Sequence, residues 1–121
     1  MNPHNEEQRR FCRANNLEYF AADEEKKMGI SSDALVGLLP LHGLRHRPEG
    51  DATGWYIWAN DYEEGPDFFN AMHVMHAVEA NMPFVKYLGL PPGWRFLIGE
   101  GGYEDIWYDA SLLGGDEGDL D

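Results

Sequence analysis

A chain of 121 residues is long enough for one hydrophobic core, and 43% apolar content with Trp 4, Tyr 6 and Phe 6 excludes a disordered polymer. Its net charge of −13 is uneven: residues 60–121 hold 2 basic and 13 acidic side chains. That balance excludes a phosphate-binding surface built from clustered Lys and Arg, so nucleic acid is not an expected partner and a basic protein is.

No apolar run approaches the length of a bilayer span, so no membrane association is expected. The start, Met1-Asn2-Pro3-His4, lacks the basic-then-apolar order of a secretory signal. Cys12 is the single cysteine, so an internal disulfide is excluded and a reducing cytoplasm is the expected compartment.

Taken in order, residues 1–30 read as a helical arm, loosely docked. Good helix formers run from Glu6 to Asn15, and Asp23 and Glu24 stand before Lys27 at helical spacing. Ser31 or Ser32 offers an N-cap to the short apolar run from Ala34 to Leu39, which fits a helix or a buried strand equally. Residues 42–47 and 54–60 alternate and flank a turn-rich segment, which predicts a hairpin. Asp61, Glu63 and Glu64 lie in an acidic loop, and Pro66 opens a predicted helix over 66–82 that Pro83 closes.

A second hairpin follows over residues 93–99 and 103–109. If Gly101-Gly102 form its turn, Phe96 faces Trp107, Leu97 faces Ile106 and Arg95 faces Tyr108. The fold expected is α+β in one domain over residues 1–113. It has a small, mostly antiparallel sheet of two hairpins, one main helix on a face, and a solvated acidic tail at 114–121.

No strong catalytic motif occurs. His73, His76 and Glu79 are spaced three apart and would be the metal ligands if any exist, yet this spacing matches no established short metal signature, and no cofactor is expected. Glu79 falls inside the apolar arc of the predicted helix, where a lone carboxylate is costly. It is therefore expected to pair with Arg95, Arg45 or His76 as a polar peg between helix and sheet. The contact surface expected for a partner combines rings and carboxylates: Trp58, Asp61, Glu63, Glu64, Glu104, Asp105, Trp107 and Asp109.

Several segments together resemble a known group. They are Gly-Leu-Arg-His-Arg-Pro (43–48), Gly-Trp-Tyr-Ile-Trp-Ala (54–59), Asp-Phe-Phe (67–69), His73 to His76, residues 87–98 through Gly-Trp-Arg-Phe, and Tyr-Glu-Asp-Ile-Trp-Tyr-Asp (103–109). Over residues 41–113 the chain resembles immunity-protein-like domains of bacterial polymorphic toxin systems, related to a domain marked by a similar Gly-Trp-Arg-Phe strand. The resemblance implies a non-enzymatic binder that neutralises a cognate toxin, and it carries over no functional residue. The competing expectations are a small metal-dependent enzyme using His73, His76 and Glu79, and an accessory domain holding a small ligand between helix and sheet.

Overall fold

A computed structural model describes residues 3–113. The acidic tail at 114–121 lies outside the described residues. The expected α+β architecture is present, built on a six-stranded, mostly antiparallel sheet in the order β4-β1-β3-β2-β5-β6.

Helix α1 (Pro3–Ala14) buries Gln8 and Cys12, one turn apart. Gln8 Nε2 donates to Val85 O at 3.0 Å and Cys12 Sγ to Gly89 O at 3.3 Å, which fixes the helix on the 84–90 segment. It ends where Asn16 takes φ 59° and Leu17 N–H reaches back to Cys12 O at 2.9 Å. An asparagine in the left-handed region closes the last turn of a helix in this way. This arm is thus tied to the core by hydrogen bonds and burial.

Residues 27–30, read above as the end of the arm, belong with Ser31 to strand β1 (Lys27–Ser31). Ser31 Oγ accepts from Ala34 N–H at 3.2 Å and caps α2 (Ser32–Leu35), one of the two caps expected. Strands β2 (Leu41–Arg45) and β3 (Ala52–Ala59) form the first expected hairpin, with Leu41 opposite Ala59 and Arg45 opposite Trp55. β1 lies beside β3 and runs parallel to it.

The helix expected over 66–82 is replaced by two elements. β4 (Phe69–His73) pairs antiparallel with β1, and the short α3 (Val74–Glu79) follows. Phe69, Asn70, Ala71, Met72 and His73 suit an alternating strand as well as a helical arc, and the free side of β1 decides between them. α3 buries Val74, Ala77 and Val78, and it stops at Asn81, φ 53°, with the capping geometry seen at α1.

Strands β5 (Trp94–Ile98) and β6 (Glu104–Tyr108) form the second expected hairpin in a different register. Phe96 faces Ile106, Arg95 faces Trp107 and Leu97 faces Asp105. Gly99 N–H closes onto Tyr103 O at 2.8 Å, so the loop encloses residues 100–102, with Gly101 and Gly102 both at positive φ. One extra loop residue shifts every partner and exchanges the faces of β6 relative to expectation.

One face of this sheet packs into the core. Met28, Ile30, Leu41, Trp55, Ile57 and Phe96 point there and meet Val74, Ala77, Phe84, Tyr87, Leu88 and Leu90. Tyr87 stacks on Phe96 at 4.5 Å, and Trp55 Nε1 donates to Leu88 O at 3.1 Å. Arg45 is sealed among them at 1% exposure.

Candidate functional site

The other face of the sheet is open, and pairing sets its residues in rows. One row crosses all six strands: Ala71, Gly29, Tyr56, Leu44, Arg95 and Trp107. A second runs through Trp58, His42, Leu97 and Asp105. Alternation along β3 explains the division, since Trp55 and Ile57 point inward and Tyr56 and Trp58 outward. Tyr56 lies over residue 29 because that residue is glycine; a Cβ there would stand 2.7 Å from Tyr56 Cδ2.

Rings gather at the β3–β4 side of this face. Tyr56 meets Phe69 at 5.2 Å, Trp58 meets Tyr62 at 5.4 Å, and His42 stacks on Trp58 at 5.1 Å. The edge-to-face geometry of the first two is the preferred one for aromatic pairs. A hollow of about 320 Å³ lies between Leu44, His46, Tyr56, Trp58, Tyr62 and Phe69. A second, about 380 Å³, opens on the far side of Tyr56 with Glu49 and Asp51 on its wall.

The expected contact residues fall into two groups. Trp58, only 6% exposed, supports the ring cluster from below, while Asp61, Glu63 and Glu64 are exposed in the loop leading to β4. Asp105 and Trp107, the latter 37% exposed, share the open face at the β6 side, with Asp109 just beyond the strand. Three strand spacings, about 14 Å, separate β3 from β6, so the two groups flank a common face without touching. Glu104 belongs to the opposite face. It accepts a short hydrogen bond from Tyr87 Oη and an ion pair from Lys86 Nζ at 3.0 Å, and these hold its carboxyl below the usual carboxylate range. Burial and the same carboxylate push the Tyr87 phenol up.

Charge on the face is set locally. Asp109 is held low first by Ser111, whose hydroxyl donates at 2.6 Å, and then by Arg95 at 3.0 Å. Arg95 also stands 5.5 Å from the Trp107 ring, in cation–π range. Burial, and then the Arg95 charge, lower the His42 pKa, so this ring favours its neutral form.

The expected polar peg is corrected. Glu79 is exposed on α3, and Arg95 pairs with Asp109. Arg45 fills the buried polar role. Its Nε donates to Thr53 O, its Nη1 to Phe20, Leu88 and Leu90 O, and its Nη2 to Ala21 O, over 2.7–3.3 Å. Burial lowers its pKa to about 10, and the guanidinium remains charged at neutral pH.

His73 and His76 have ring centroids 5.7 Å apart, but no group of three or more metal-ligating side chains forms among the described residues. Cys12 is buried and its thiol pKa is raised by that burial, so it stays protonated rather than nucleophilic. Between α1 and β6 a hollow of about 290 Å³ touches Phe11, Asn15 and Ile106. Tyr56, Phe69, Tyr62 and Leu44 are the residues of the open face that sequence reasoning missed. The alternation of β3 was the available signal for Tyr56. The part of Phe69 depended on recognising β4 as a strand.

A family model described as the Imm33-like domain matches residues 7–109, a span that takes in α1 and β1 as well as the later strands. No curated protein and no solved structure matches the chain.

Proposed function

The chain belongs to the Imm33-like family, and on that premise we propose that it is an immunity protein that neutralises a cognate, basic bacterial toxin by binding it. Contact runs through the open face of the sheet, the protein performs no bond-making step, and its compartment is the bacterial cytoplasm. The observation that carries this reading is the pairing of half-buried rings with a carboxylate rim. Tyr56, Phe69 and Trp107 lie on the sheet face turned away from α1 and α3, between Asp61, Glu63 and Glu64 on one side and Asp105 on the other. Rings on a preformed surface supply contact area at low entropic cost, and surrounding charge sets partner choice and encounter rate.

The test is titration of the chain with the effector encoded beside it, at low and high salt. Tight binding is expected, weakened by salt as screening removes the long-range attraction. Trp107→Ala and the triple change Asp61, Glu63 and Glu64→Lys are each expected to weaken it by about tenfold or more, the scale of an interface anchor or a lost charge pair. Glu79→Gln, on the other side of the molecule, is the control. Binding indifferent to all of these changes would overturn the placement of the surface. Failure of every neighbouring gene product to bind would overturn the reading itself.

A further inference from the structure

The sheet has two edges, β4 and β6, and they are built differently. Edge strands carry outward N–H and C=O groups that template pairing with another chain, and charge or proline normally guards them. β6 has Glu104 and Asp105 among its five residues. β4 reads Phe-Asn-Ala-Met-His and has neither a carboxylate, a Lys or Arg, nor a proline.

Register identifies the outward groups. Met28 faces Met72 across the β1–β4 ladder, and Val74 N–H donates to Lys26 O at 2.9 Å two residues further along each strand. Hydrogen-bonded pairs alternate in an antiparallel ladder, so Asn70 and Met72 turn their backbone groups toward β1. Phe69 and Ala71 then turn theirs away, as does the His73 N–H, while the His73 carbonyl opens α3 as its N-cap. The far side of β1 agrees: Lys27 N–H donates to Asp51 O at 2.9 Å and Lys27 O accepts from Thr53 Oγ1 at 3.0 Å, so the odd residues of β1 face β3.

Charge identifies the occupant. The loop entering β4 exposes Asp61, Glu63, Glu64 and Asp67, and a hollow of about 410 Å³ beside it is lined by Asp33, Glu63, Glu64 and Asp67. We propose that β4 is a strand-addition site: an extended, Lys- or Arg-bearing segment of the partner pairs with Phe69, Ala71 and His73 and sets its cations against this loop. Main-chain pairing supplies the affinity in such a contact and the flanking side chains supply the choice of sequence. Two copies of a chain with net charge −13 repel one another, which disfavours β4 pairing with itself. The identity of the partner as a toxin rests on the immunity reading above; the geometry of the edge does not.

Ala71→Pro deletes one outward N–H and leaves the bonds to β1 in place, a substitution that edge strands tolerate. The variant is expected to keep the wild-type Tm within a few degrees and to bind the adjacently encoded effector at least about tenfold more weakly, the effect of losing a backbone bond and the fit around it. In the wild-type complex the Ala71 and His73 amides are expected to gain at least about tenfold protection from hydrogen exchange, and this readout holds even if the proline variant folds poorly. Unchanged affinity with unchanged exchange would overturn strand addition and leave the immunity reading standing. A wild-type dimer abolished by Ala71→Pro would give the edge to a second copy and overturn the proposal. An effector that the wild-type chain does not bind overturns both.

Discussion

Arg45 is the residue on which most separate segments converge. Its guanidinium gathers carbonyls from the Phe20–Ala21 loop, from β3 and from the 88–90 segment, and it lies 4.9 Å from the Phe20 ring. Arg45→Met would remove the donor these carbonyls share, Leu88 O keeping the Trp55 indole N–H, and is expected to cost roughly 3–5 kcal/mol of stability by denaturant unfolding. Arg45→Lys should recover little of this, because one ammonium cannot reproduce a planar fork. The sequence pointed to Glu79 because helical projection put it inside an apolar arc; once residues 69–73 became a strand, that arc no longer existed. Arg45 could have been found from its own alternation, following Leu41 and Gly43 on one side of β2, but a charged residue at an inward position reads as exposed until its partners are known. His42 gives a pH test at the same scale. Its folded-state pKa is depressed, so the unfolded chain takes up the proton first. The stability it contributes is complete above the ordinary histidine value of about 6.5 and is lost as pH falls through the lower, folded value. His42→Gln should therefore flatten the stability–pH curve just below neutrality; an unchanged slope would contradict the shift.

At the scale of elements, the two hairpins were legible because turn chemistry and alternation agreed in each. β1 and β4 were not. β1 contains Lys27 and Gly29 and pairs with strands distant in the chain, so no local signal marks it. β4 contains methionine, alanine and asparagine, and its extended form depends on the ladder with β1. The two descriptions of 69–73 make different demands on proline. In a helix, proline at 71 or at 72 would be equally damaging. In this strand Met72 donates toward β1 and Ala71 does not, so Met72→Pro should lose roughly 3 kcal/mol while Ala71→Pro stays within about 1 kcal/mol, both read by denaturant unfolding. Equal losses at the two positions would contradict the strand. The β5–β6 slip has a similar origin: the glycines were recognised as turn residues, but the number of residues they would enclose was not fixed by their identity.

For the molecule as a whole, the α+β class was legible from hydrophobic periodicity, and the acidic imbalance from composition. Which sheet face is free was not, because each strand alternates and only assembly decides which side the helices take. Assembly placed α1, α3 and the 84–90 segment together and left Tyr56, Leu44 and Trp107 open. In the proposed function, membership of the Imm33-like family makes that face the contact surface, and the surplus of carboxylates calls for a partner of opposite sign. Among the described residues no helix is long and apolar enough to cross a membrane. The most direct test is nuclear magnetic resonance cross-saturation from the bound, adjacently encoded effector onto this chain. The account predicts transfer concentrated on Tyr56, Tyr62, Phe69 and Trp107, with the amides of β4 included. Transfer concentrated instead on α1 and the exposed side of α3, with the open face untouched, would contradict it.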